Sequence, residues 1–233
     1  MQLKITNELI HKLTGAPISA LEKKPLELYQ QSTGSGNEIY VEGVLLDARD
    51  SWLDGIKGFF SPNAFRKAMD QTDGDITLYI DSPGGSVFGA ANMLSQVIKA
   101  RKDGKKVNAV ITGQCSSAAT YFLMDVDSAA ISKTGFVMVH RASALAMGNY
   151  KDLEQVVEVL QKFDQQYIDQ LADLTGKKAA EVESAVDKET WFTAQEALDY
   201  GLVQELYTSK GQGKSKVKQK SNFRMLINQL NEL

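Results

Sequence analysis

The spacing of apolar residues changes period repeatedly along this chain, and the changes mark alternating strands and helices. Glu38–Leu46 (EIYVEGVLL) is rich in β-formers and reads as a strand. Ser61-Pro62 offers an N-cap followed by proline at the first helical position, which predicts a helix running to about Gln71. Asp75–Ile80 (DITLYI) reads as a short buried strand, and after the turn DSPGGS the apolar periodicity predicts a helix over Val87–Arg101. The same unit repeats: a strand over Lys106–Thr112, the turn GQCSS, then an apolar helix from about Ala118. Ala129–Ser132 and Phe136–His140 read as further strands. Over Asn149–Leu174, Leu153, Val156, Val157, Leu160, Phe163, Tyr167, Ile168 and Leu171 fall at helical spacing, wider than one stripe needs. Thr193-x-x-Glu196 is a capping box, and Gly201 suits the end of the helix it opens. Strand–turn–helix repeats of this kind predict an α/β fold with a mostly parallel sheet and right-handed crossovers.

The two ends read differently. Leu3, Leu9, Ile10 and Leu13 suggest a short amphipathic arm, and the Gly/Ser/Asn-rich break QSTGSGN closes it at residue 37. Residues 1–37 are therefore expected to be an N-terminal extension, 38–207 the main domain, and 208–233 a C-terminal tail. The tail's TSKGQGKSKVKQKS carries five lysines and no acid and has little to bury, so a flexible segment is expected.

Composition narrows the classes. The chain has 233 residues, enough for one well-filled core. A net charge of −3 gives no global basic field, so neither nucleic acid nor a membrane surface is an expected partner. One cysteine cannot form an internal disulfide, and no apolar run reaches membrane-spanning length. The N-terminus lacks the pattern of a signal peptide, so a cytoplasmic location is expected.

In open α/β sheets, ligands bind where strands give way to helices, and two such turns here are unusual. In Asp81-Ser82-Pro83-Gly84-Gly85-Ser86 the paired glycines permit positive φ and aim N–H groups at incoming negative charge. In Gly113-Gln114-Cys115-Ser116-Ser117-Ala118 a serine at the corner can project its hydroxyl, with the next N–H placed to hold an oxyanion. Either serine also reads simply as an N-cap, and Cys115 as a small buried residue. A serine nucleophile needs a base, and the chain has two histidines, His11 in the arm and His140 at a strand end. Asp187 and Glu189, just before Trp191-Phe192, are candidates for the carboxylate that orients the imidazole. Two distant histidines and one cysteine make no metal-ligand set, so no metal is expected.

DSPGGSVFGA, GQCSSAATYFLM, FVMVHRAS and ETWFTAQEALDYGLV, in this order, resemble the proteolytic subunit of the Clp protease family, most of all its phage and prophage members, the Clp-like head maturation proteases. The resemblance covers roughly residues 38–207. It implies a Clp/crotonase-type fold of repeated β-β-α units, with a long handle helix protruding at Asn149–Leu174. It places the nucleophile on Ser117, the general base on His140, and the oxyanion-hole backbone donors on Gly85 and Ala118. The third triad position falls on Glu189, where the housekeeping subunit has aspartate, and Asp187 stays open as the alternative acid. Arg141-Ala142 follow the histidine where the housekeeping subunit has Gln-Pro.

The resemblance implies a cofactor-independent serine endopeptidase acting on polypeptides, with phage capsid or scaffold protein as the expected substrate. It also implies a homo-oligomer built of heptameric rings. The N-terminal arm does not resemble the housekeeping subunit's axial loops and so lends no support to docking on an unfoldase ATPase. Two other readings remain: an acyl-CoA enzyme on the related crotonase scaffold, and a catalytically degenerate Clp-like assembly protein.

Overall fold

A computed structural model describes residues 37–208 apart from 54, 55 and 57. The expected N-terminal arm, with His11, and the expected basic tail lie outside those residues. Within them the strands are β1 (Glu38–Glu42), β2 (Val44–Leu45), β3 (Phe59–Phe60), β4 (Ile76–Ser82), β5 (Val107–Ser116), β6 (Ser128–Ser132), β7 (Phe136–Val139), β8 (Thr190–Thr193) and β9 (Glu205–Tyr207). The helices are α1 (Pro62–Asp70), α2 (Val87–Lys102), α3 (Tyr150–Thr175), α4 (Ala179–Asp187) and α5 (Ala194–Tyr200), with 3-10 segments at Ala48–Leu53 and Ser117–Leu123.

The sheet runs β1-β4-β5-β6-β9, all parallel. Burial alternates along β4, where Ile76, Leu78 and Ile80 are fully buried and Thr77 and Tyr79 half-buried, and Val107 and Ile111 of β5 are fully buried beside them. Strand β5 is longer than the predicted Lys106–Thr112. Its first half pairs with β6 through Asn108–Ile111, and its second half pairs with β7 through Gln114–Ser116. The sheet therefore forks along β5. The residues GQCS, expected as a turn, are strand because β7 offers them a partner. The expected helix from Ala118 is a 3-10 segment beginning at Ser117. Beyond the fork β8 pairs antiparallel with β7, the one antiparallel pairing in an otherwise parallel sheet among the described residues.

The helix ends follow local chemistry. The Ser61 hydroxyl accepts from Ala64 N–H at 3.1 Å, with Pro62 opening α1. Capping boxes start α3 (Asn149 with Asp152) and α5 (Thr193 with Glu196), and left-handed Gly176 and Gly201 end them. Helix α4 was not read from the sequence. It buries just Val182 and Val186, too narrow a stripe to stand out. Helix α3 is buried in its second half, at Asp164, Tyr167, Ile168 and Leu171. Its first half projects from the body with Tyr150, Leu153, Val157 and Val159 exposed.

Near the N-terminus, β2 and β3 form a small parallel sheet under the start of α2. Gly89 of α2 packs so closely there that a Cβ would overlap the Leu46 carbonyl oxygen. Gly89→Ala is expected to lower stability by about 1–3 kcal/mol, as overpacking against immobile backbone does. An unchanged denaturation midpoint in urea would contradict that packing.

Candidate active site

The fork in the sheet assembles the site. Parallel pairing sets Ser116 beside Met138, so the chain leaves β5 at Ser117 next to the end of β7, where His140 follows. Ser117 adopts φ 54°, in the left-handed region. A side chain seldom takes that conformation unless its surroundings enforce it. The turn aims Ser117 Oγ at His140 Nε2, 2.7 Å away. With the imidazole neutral and its proton on Nδ1, the hydroxyl donates to Nε2, which is the ground state from which a proton can pass to the base.

Opposite Ser117 lies the Asp81–Ser86 turn. Gly84 has φ 91°, and a Cβ there would meet Ser117 Cβ at 2.8 Å and the Ala118 nitrogen at 3.0 Å. The turn is tied down on its far side. Leu45 N–H donates to the Gly84 carbonyl, and Ser86 N–H donates to the Leu45 carbonyl, both at 2.8 Å. That parallel bridge uses Gly84 and Ser86 and leaves the Gly85 N–H out of it. Gly85 itself has φ 144°, and a Cβ there would overlap the Leu45 backbone. Ala118 lies in the first turn of its 3-10 segment, whose N-cap Ser116 makes no capping hydrogen bond. The Gly84–Gly85 turn thus lies directly against Ser117 and the Ala118 nitrogen.

The two acid candidates part company. The β7–β8 ladder pairs Val139 with Thr190, so one further step sets Glu189 across from His140. Glu189 is, with Ser117, one of the two non-glycine residues of positive φ among the described residues, at 49°. Its carboxylate is exposed and makes no hydrogen bond to the imidazole. Asp187 instead accepts from Arg141 Nε at 2.6 Å. Hydrogen bonds donated to Asp187 and then Glu183 hold the Arg141 guanidinium above its ordinary pKa. Sequence reasoning noted Arg141 merely as a departure from the family pattern and missed Asp164, whose carboxylate is buried beside it.

A recess opens beside the serine. Ser117 and His140 stand at one side, with Val87, Tyr121, Phe163 and Tyr167 giving it an apolar lining. Tyr167 is buried and shares a 2.7 Å hydrogen bond with Thr120 Oγ1, which also donates to the Ser117 carbonyl at 2.6 Å. That relay ties the Ser117 carbonyl, through Thr120, to Tyr167 of α3. Among the described residues no group of three or more His, Cys, Asp or Glu is disposed to hold a metal ion.

A family model described as Clp protease matches residues 66–210, which is more than half of the chain and includes Ser117, His140 and Glu189. The chain belongs to the Clp protease family. It is 30% identical over 138 residues to the ATP-dependent Clp protease proteolytic subunit of Bacteroides fragilis, covering 58% of this chain and 65% of that protein. It is 33% identical to proteolytic subunit 1 of Corynebacterium glutamicum, with the same coverages. Proteolytic subunit 2 of Thermobifida fusca is 30% identical, with 58% and 66% covered. The chain thus spans a little under two thirds of the length of these Clp relatives.

Cys115 sits two residues before Ser117 with its side chain in the core, and burial pushes its thiol pKa far up. A thiol held protonated is a poor nucleophile. The folded protein at pH 8 is expected to resist iodoacetamide and to be alkylated at Cys115 once denaturant is added. Alkylation of the folded chain, read by peptide mass, would contradict that burial.

Proposed function

We propose that the chain is a serine endopeptidase. The observation that carries this reading is the 2.7 Å contact between Ser117 Oγ and His140 Nε2 at a serine held in the left-handed region. Ser117 Oγ attacks a peptide carbonyl carbon while His140 Nε2 takes its proton. The carbonyl oxygen becomes an oxyanion between the Gly85 and Ala118 N–H groups. His140 returns the proton to the leaving amine as the C–N bond breaks, and water, deprotonated by the same imidazole, releases the acyl group. Glu189, across from His140 by strand register, holds the Nδ1 proton and stabilises the imidazolium once the site closes on substrate; Asp187 is the alternative acid. The apolar recess takes the side chain preceding the cut.

The substrate is a polypeptide, and we assign it to the capsid or scaffold protein of a phage or prophage on the strength of the four sequence motifs. The protein works in the cytoplasm and assembles with copies of itself in seven-membered rings. Supporting the assembly is the projecting half of α3, whose apolar residues Leu153, Val157 and Val159 are exposed among the described residues. Among the described residues no helix is long and apolar enough to cross a membrane.

A fluorophosphonate is expected to label Ser117. Ser117→Ala and His140→Ala should each abolish labelling and lower peptide hydrolysis by about 10³-fold or more. Co-expression with the phage structural proteins, read as their truncation, tests the substrate. A folded oligomer that is never labelled would overturn the enzyme in favour of an assembly protein. Native mass spectrometry is expected to show multiples of seven, and Leu153→Glu on α3 to shift the population to smaller species. A monomer at micromolar concentration would refute the ring.

A further inference from the structure

The chain that leaves β7 is pinned immediately after His140. Arg141 spreads its guanidinium over three carboxylates. Nε donates to Asp187 at 2.6 Å, Nη2 to Glu183 at 3.1 Å, and Nη1 to Asp164 at 3.3 Å. The next amide, Ala142 N–H, donates to the other Asp164 oxygen at 2.7 Å. Asp164 is on α3 with its side chain 8% exposed, and a buried carboxylate is tolerated where it is paired and hydrogen-bonded. Here both of its oxygens are engaged by the two residues that follow His140. Asp187, by contrast, is half exposed, at the end of α4, two residues before Glu189. A surface ion pair of that kind adds little to stability. Its position is what stands out, because it joins the segment bearing the imidazole to the corner bearing the acid.

We infer that Arg141 is a positioning residue for the site. Through Asp164 it fixes the backbone of His140 against α3, and through Asp187 it ties that backbone to the α4–β8 corner that carries Glu189. Asp187 therefore serves the site through Arg141 and does not itself contact His140. The fork-shaped guanidinium suits this work because its donors diverge in a fixed plane and reach carboxylates on two helices at once, which an ammonium cannot do. This inference rests on Ser117 and His140 being the nucleophile and base.

The experiment is fluorophosphonate labelling of the full chain and of Arg141→Gln, Asp187→Asn and the double variant. Maximal rate and half-saturating concentration are measured separately, and melting temperature is recorded alongside. Arg141→Gln is expected to lower the maximal rate about ten- to a hundred-fold, the scale of a small misplacement of a reacting group, with the half-saturating concentration nearly unchanged. Asp187→Asn is expected to lower it less, and the double variant to be no slower than Arg141→Gln, since both changes break one contact. If Arg141→Gln fails to fold, Asp187→Asn carries the test at a half-exposed position, and a wild-type maximal rate there overturns the inference. So does a wild-type rate in Arg141→Gln. A cost of Asp187→Asn that persists undiminished beside Arg141→Gln also overturns it, by making Asp187 a direct partner of His140. Failure of the unaltered chain to be labelled is a separate result, and it removes the catalytic reading and this inference together.

Discussion

The pairing of three residues of β5 with three of β7 is the constraint on which the rest of the site depends. Gln114, Cys115 and Ser116 find partners in Phe136, Val137 and Met138. Backbone hydrogen bonds in a parallel ladder set the relative height of two strands to within a fraction of a residue, because a slip by one would turn every side chain to the wrong face. That register brings a serine leaving one strand within hydrogen-bond reach of a histidine leaving the other, although 23 positions separate them in the chain. The antiparallel partner β8 extends the same logic to Glu189. Ser117, His140 and Glu189 thus stand at the ends of three neighbouring strands, and no long loop is needed to bring them together.

The electrostatic setting is divided in two. Beside the serine the walls are mostly apolar and aromatic, with buried Tyr167 and half-buried Val87, and the buried Asp164 carboxylate is the one acidic group among them. Behind the histidine the setting is ionic, with Arg141 among Asp164, Glu183 and Asp187. One face of the imidazole thus meets chemistry, while the chain on its other side is gripped by charge.

Much of this was legible in the sequence. Helices α1 and α5 were readable from their caps, and α2 and α3 from their apolar period. The Ser117 turn and the Gly84-Gly85 turn stood out as candidates because each is a continuous stretch of chain with distinctive residues. What escaped was long-range. The extension of β5 through GQCS exists because β7 comes to meet it, and no local propensity announces that. Strands β8 and β9 are four and three residues long, too short to show a period, and depend on partners already in place. The carboxylates around Arg141 come from 23, 42 and 46 positions away, on surfaces where each alone looks like an ordinary solvated charge. Asp187 and Glu189 could not be told apart by spacing, whereas strand register and the Arg141 contact separate them.

The small β2–β3 sheet supplies no side chain to the chemistry, yet its Leu45 holds the Gly84–Gly85 turn through two backbone hydrogen bonds. The same turn is tied on its other side by the pairing of Ser82 with Cys115, so it is clamped between the small sheet and the large one. Loosening Leu45 would free one side of that clamp without touching the strand pairing that brings Ser117 to His140. The backbone beside the serine is therefore sensitive to a segment that contributes no side chain there.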